Sequence, residues 1–86
     1  MKLSIFGLGY VGCVSAACFA QAGHEVIGVD VNQLKVDIIN GGQSPVVEPG
    51  VEELIATAVK EKRLRATTAV AQAVAESDIS LVCVGT

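Results

Sequence analysis

The chain has 86 residues, 51% apolar and 3% aromatic, with 6 Lys and Arg against 9 Asp and Glu and a formal net charge of −3. That length makes one small domain and excludes a catalytic domain sitting beside a nucleotide-binding one. The acidic balance and the scarcity of aromatic rings speak against nucleic acid or an anionic membrane as partner.

The chain opens on a short β-like run, Leu3 to Phe6, followed at once by Gly7-Leu8-Gly9-Tyr10-Val11-Gly12. A helical stretch from Tyr10 to Ala22 is rich in small residues (Ala16, Ala17, Ala20), which allow close docking on a sheet, and Gly23 is its natural stop. A second strand, Glu25 to Val29, ends in Asp30. Asn32 is placed to cap a helix from Gln33 to Asn40 whose apolar positions are Leu34, Val36, Ile38 and Ile39, with Gly41-Gly42 as its end. Ser44-Pro45-Val46-Val47-Glu48-Pro49-Gly50 reads as a loop stiffened by its prolines.

A third helix is predicted from about Val51 to Lys62, with Leu54, Ile55, Ala58 and Val59 on one stripe. Glu52 and Glu53 in its first turn and Lys60, Lys62 and Arg63 near its end suit the helix dipole. Leu64 to Thr67 is a short strand. Thr68 or a neighbour caps a helix through Ala75, and Ile79 to Val84 is a nearly unbroken apolar strand of the kind buried in parallel sheets. Strands alternating with helices imply a parallel sheet with right-handed crossovers and strand order 3-2-1-4. The fold class is therefore α/β, a Rossmann-type doubly wound sheet. With about four of the six strands of a full domain, residues 1–86 read as the N-terminal part of one, its last strand an open edge prone to pairing or aggregation.

The order of strand, glycine turn, helix, strand and acid is that of a dinucleotide-binding unit, and each residue type has a physical reason. Gly7 lets the chain turn off the strand, Gly9 lets the backbone approach a pyrophosphate, and Gly12 lets the helix pack tightly on the sheet. The first-turn amides then face the phosphates at the positive end of the helix. Asp30 accepts from the adenosine ribose hydroxyls and repels a 2′-phosphate, which selects NAD over NADP. Where the winding reverses, between the first and last strands, the crevice has the glycine turn on one lip and Gly85-Thr86 on the other, so Thr86 is a candidate cofactor contact.

Other reactive residues read more blandly. His24 lies at the opposite end of the sheet and is a turn residue; Asp78 is a solvated turn residue. Cys13, Cys18 and Cys83 are odd in number and have no metal-ligand spacing, which fits a reduced, cytoplasmic protein without a metal site. Cys13 sits in a helical first turn, where the dipole would lower its pKa and favour oxidation. Met1-Lys2, the apolar run and Ala20-Gln21-Ala22 superficially match a secretory signal, but three glycines at nucleotide spacing inside that run argue against one.

The stretches IFGLGYVG (5 to 12), GHEVIGVDVN (23 to 32), SPVVEPGVEEL (44 to 54) and ISLVCVGT (79 to 86) together resemble the nucleotide-sugar 6-dehydrogenases, which include UDP-glucose and GDP-mannose 6-dehydrogenase. The resemblance covers the whole chain. Its most discriminating part is the proline loop, and the wording VDVN, KVDIINGG and SPVVEPG looks closer to the GDP-mannose enzymes. The resemblance implies an enzyme that oxidises the C6 hydroxyl of a nucleotide sugar to a carboxylate with two NAD, feeding synthesis of a polysaccharide such as alginate. It implies a homo-oligomeric parent. It places the amides of Tyr10 and Val11 at the pyrophosphate, Asp30 on the ribose, Lys35 near the adenosine end and Thr86 beside the cofactor. Read by itself, Lys35 is a solvated helix lysine. The family's catalytic cysteine and sugar-nucleotide site lie downstream, and none of the three cysteines here matches that motif, so no catalytic residue is expected in this chain. A β-hydroxyacid-type dehydrogenase and a non-catalytic NAD-sensing module share the glycines and the acid, and both lack the proline loop.

Overall fold

The computed structural model describes residues 1–83. The elements follow as β1 (Lys2–Phe6), α1 (Tyr10–Gln21), β2 (Glu25–Val29), α2 (Gln33–Asn40), α3 (Val51–Lys60), β3 (Leu64–Thr67), α4 (Val70–Glu76) and β4 (Ile79–Val82). All strand pairs are parallel and the sheet order is β3-β2-β1-β4, as the alternation of elements predicts. Val84, Gly85 and Thr86 lie outside the described residues, so the candidate contact at Thr86 has no structural account.

Hydrophobic patterning assigns the two faces of the sheet. On one face α1, α2 and α3 enclose the main core, in which Ile5, Leu8, Ile39 and Ile55 are fully buried. The small side chains of α1 (Gly12, Cys13, Ala16, Ala17, Ala20) form its buried face. The other face carries α4 and a smaller cluster of Ile27, Val29 and Ala73 with Phe6 beside it. Because β1 and β2 are covered on both faces, Leu3, Ser4 and Ile5, and Val26 to Val29, are buried without alternation. Ser4, the buried polar side chain of β1, hydrogen-bonds Ser77 at 2.9 Å and Ser80 at 2.7 Å, so β4 is held by hydroxyls as well as by its ladder.

Both edges of the sheet are visible. Beyond β3, the Asn40 amide donates to the Ala66 carbonyl at 3.0 Å and accepts from the Ala66 N–H at 2.9 Å, standing in for one residue of a missing strand. At β4, Val82 is 72% exposed. Helix ends follow the local signals in part. Gly23 (φ 100°) ends α1, its N–H on the Ala20 carbonyl and that of His24 on the Phe19 carbonyl, a paired closure that needs a left-handed residue. At the start of α4, where Thr68 or a neighbour is expected as cap, the neighbour Ala69 takes the N-cap position, and the Thr67 hydroxyl accepts the Ala69 N–H at 3.0 Å. Asp78 is more than a solvated turn residue, since its carboxylate accepts the Lys2 amide at 3.0 Å and ties the start of β1 to the start of β4. Among the described residues no helix is long and apolar enough to cross a membrane.

Candidate functional site

The site is built where β1 and β2 end side by side. Gly7, with φ 98°, turns the chain off β1 in a conformation that a side chain would strain, and its N–H stays paired to the Val29 carbonyl at 2.8 Å. Gly9 is the N-cap of α1 (φ −81°, ψ −160°) and has no side chain with which to cap it. A Cβ built there would meet nothing within 4 Å, so the space above the turn is open. Gly12 differs: a Cβ there would fall 1.7 Å from the Gly7 carbonyl oxygen. The helix thus presses on its own entry turn, and the close packing expected of this glycine on the sheet is made first against that turn.

This geometry leaves the amides of Gly9, Tyr10, Val11 and Gly12 without an acceptor among the described residues. No acidic residue lies in the first turn of α1. Four unpaired donors, the positive end of a twelve-residue helix and an open approach are together a receptor for an anion.

Asp30 stands beside this turn and is tied to it. One carboxylate oxygen accepts the Leu8 N–H at 2.8 Å and the other the Asn32 N–H at 2.9 Å. Partial desolvation pushes its pKa up, but the Leu8 and Asn32 amides, the charge of Lys35 and the Val31 amide outweigh it and hold the carboxyl below its ordinary value. Each oxygen keeps a free lone pair, so the carboxylate is ionised, fixed in place and still able to accept from two hydroxyls. Lys35 is half-buried on α2 and close enough to act on Asp30, which moves it from the reading of a merely solvated lysine to part of the site's electrostatics.

A mostly apolar cleft of about 140 Å³ opens at the same edge, lined by Phe6, Gly7, Val29, Asp30, Val31 and Val70. A larger one, about 390 Å³, lies along the proline loop and is lined by three carboxylates, Glu48, Glu52 and Glu53. Its charge has the wrong sign for a phosphate, and the smaller cleft continuous with the glycine turn is the better chemical match.

The structure therefore brings Gly7, Gly9, Tyr10, Val11, Gly12, Asp30 and Lys35 together at one sheet end, and leaves His24 at the other. It corrects one expectation outright. The Cys13 thiol is fully buried and donates to the Leu8 carbonyl at 3.3 Å, and burial pushes its pKa up to about 11, against a smaller lowering by Lys35. Desolvation overrides the helix dipole, and this thiol is not poised for oxidation. Two contributors escaped the sequence reading. Gly28, in mid-strand, admits Leu8: a Cβ there would lie 2.8 Å from a Leu8 methyl. Glycine inside a strand is the signal that marks such a close approach. Glu48 accepts the Tyr10 hydroxyl at 2.7 Å, a pairing that nothing local in the sequence announces.

The model of the UDP-glucose/GDP-mannose dehydrogenase family's NAD binding domain matches residues 1–86. A GDP-mannose 6-dehydrogenase from Pseudomonas putida is 57% identical over 86 residues, 100% of this chain and 20% of the relative. The crystal structure of a ternary complex of GDP-mannose dehydrogenase from Pseudomonas aeruginosa superposes with a TM-score of 0.98 at 56% identity, over 100% of this chain and 20% of that one. A UDP-glucose dehydrogenase from Pyrobaculum islandicum superposes at 0.93 with 42% identity, over 99% and 20%. The chain spans about a fifth of the length of the relatives it matches.

Proposed function

The chain belongs to the UDP-glucose/GDP-mannose dehydrogenase family and corresponds to its NAD-binding domain, and on that premise we propose that the glycine turn, Asp30 and the adjoining cleft receive NAD for the oxidation of a GDP-mannose-like nucleotide sugar. The observation that carries the reading is the set of four acceptor-less amides beneath the open space at Gly9. They donate to the diphosphate. Asp30, held by its two amide contacts, accepts from the adenosine ribose hydroxyls, and its charge disfavours a 2′-phosphate at that position. The apolar walls from Val29, Val31 and Val70 cover the adenine face, and the Leu8 and Asn32 amides, with Lys35 behind them, favour the ionised form of Asp30.

Bound NAD supplies the oxidising power, two equivalents for each sugar C6 hydroxyl taken to a carboxylate, with one water consumed. This chain's residues bind and orient; the sugar and the covalent chemistry fall to residues other than these. GDP-mannose is preferred over UDP-glucose as the substrate class because identity runs at 52–57% to the GDP-mannose enzymes and 44% to a UDP-glucose enzyme matched over the same residues. A cytoplasmic enzyme making a precursor of an alginate-type polymer fits that chemistry.

The test is Asp30→Ala, titrated calorimetrically with NAD and with NADP. We expect NAD affinity to fall by about tenfold or more, roughly 1.4 kcal/mol, with NADP rising relative to NAD. The ratio is decisive, because disturbing the turn through Leu8 would weaken both cofactors alike. An unchanged NAD-to-NADP ratio refutes the ribose role.

A further inference from the structure

The Tyr10 side chain is 53% exposed, so packing alone does not hold it. What fixes it is its hydroxyl donating to Glu48 at 2.7 Å, across 38 residues of sequence. Tyr10 is also the first residue of α1, and its amide is among the four left bare. Glu48 in turn sits on a braced support. Pro45 and Pro49 restrict the loop, the Ser44 hydroxyl donates to the Val46 carbonyl at 2.7 Å, and Val46 packs against the core. The Glu48 carbonyl accepts the Val51 N–H at 3.2 Å, joining the loop to the start of α3. The tip beyond this base, Val47, is 99% exposed.

We propose that the Tyr10–Glu48 hydrogen bond is a latch that fastens the proline loop to the first turn of α1, and that it holds the bare amides of that turn in position for NAD. The inference rests on the reading of that turn as the diphosphate site. Glu48 makes no ion pair among the described residues, whose three bridges join Lys2 to Glu25, Arg63 to Glu61 and Arg65 to Glu76. The phenol is the hydrogen-bond partner of the Glu48 carboxylate. The hydrogen bond to Glu48, with slight desolvation and the Glu48 charge, pushes the Tyr10 phenol above its ordinary pKa, so the donor keeps its proton at neutral pH. Loss of one such hydrogen bond would loosen the turn and speed the escape of what its amides hold.

The experiment measures the rate of NAD dissociation from the protein by stopped flow for Tyr10→Phe, Glu48→Ala, the pair combined, and Glu48→Gln. Tyr10→Phe and Glu48→Ala are each expected to raise the rate roughly fivefold, as the loss of one hydrogen bond implies. The combined variant should do no more than either alone, and Glu48→Gln, whose amide carbonyl still accepts from the phenol, should stay close to the wild-type rate. Thermal midpoints serve as the control for folding. Unchanged rates, or losses that multiply in the combined variant, overturn the latch and leave the NAD site standing. A wild-type protein that binds no NAD overturns the site and the latch function together. The bond has its own readout, the ultraviolet titration of Tyr10, assigned by difference from Tyr10→Phe. In Glu48→Ala it should move down toward the ordinary value of 10.0. A titration that does not move overturns the latch even where NAD binds.

Discussion

Helices α1 and α2 leave the same end of the sheet from neighbouring strands, and their first turns are finished in opposite ways. At α2 the Asn32 side chain accepts the Leu34 N–H at 3.0 Å, and the Asn32 N–H itself goes to Asp30. At α1 the N-cap is a glycine, four donors have no acceptor among the described residues, and a Cβ at Gly9 would meet none of those residues within 4 Å. Every helix faces the same deficit of partners at its start, and a side-chain cap is the ordinary remedy, worth about 1 kcal/mol. Helices α3 and α4 also begin without a side-chain cap, so a bare start is not by itself a binding site. What sets α1 apart is the glycine turn at its entry together with the Asp30 carboxylate tied to that turn through Leu8.

The largest effect follows from separating the glycine that shapes the fold from the one that keeps the approach clear. Gly12→Ala would drive a methyl group to within 1.7 Å of the Gly7 carbonyl oxygen, a backbone atom that cannot swing away. Overpacking against backbone should cost about 3 kcal/mol or more, a large share of the stability of so small a domain. Chemical denaturation followed by circular dichroism should show the variant largely unfolded or with a sharply lowered midpoint. A variant as stable as wild type would mean that α1 can slide off its turn, and the cradle would lose its rigidity.

Gly9→Ser removes the contrast directly. The backbone at Gly9 is already extended, as an N-cap requires, and a serine hydroxyl there would accept from a first-turn amide. The variant should be as stable as wild type or a few tenths of a kcal/mol more so, because the hydroxyl meets open space. NAD affinity by calorimetry should nevertheless fall by at least about tenfold, since one donor is taken and the approach is narrowed. Stability and binding moving in opposite directions is the signature; retained affinity would show that the bare amides do not hold the diphosphate.

What was legible in the sequence and what was not divide along the same physical line. The roles of Gly7, Gly9 and Asp30 rest on backbone geometry within one βαβ unit, so spacing alone reveals where they stand. The strand order follows from alternation and the handedness of crossovers, and it matches. The contacts that spacing missed depend on docking. Leu8 meets Gly28 only because the turn folds down onto β2, and Tyr10 meets Glu48 only because α3 packs against α1. Cys13 shows the same lesson in its electrostatics. Its helix position is local and argues for a reactive thiol, whereas its burial is tertiary and decides the matter the other way.

The smallest effect tests the other half of the comparison. Asn32→Ala deletes the side-chain acceptor of Leu34 and should lower stability by about 1 kcal/mol, read as a shift in the denaturation midpoint. Its backbone N–H, the group that reaches Asp30, is untouched by the substitution, so the carboxylate keeps both of its amide contacts. NAD affinity should therefore stay within about twofold of wild type, a difference of roughly 0.4 kcal/mol. If affinity instead falls in step with stability, the start of α2 contributes to the site through more than Asp30. The two helix ends would then have to be read as one surface, in which the cap of α2 supports the ribose side of the pocket.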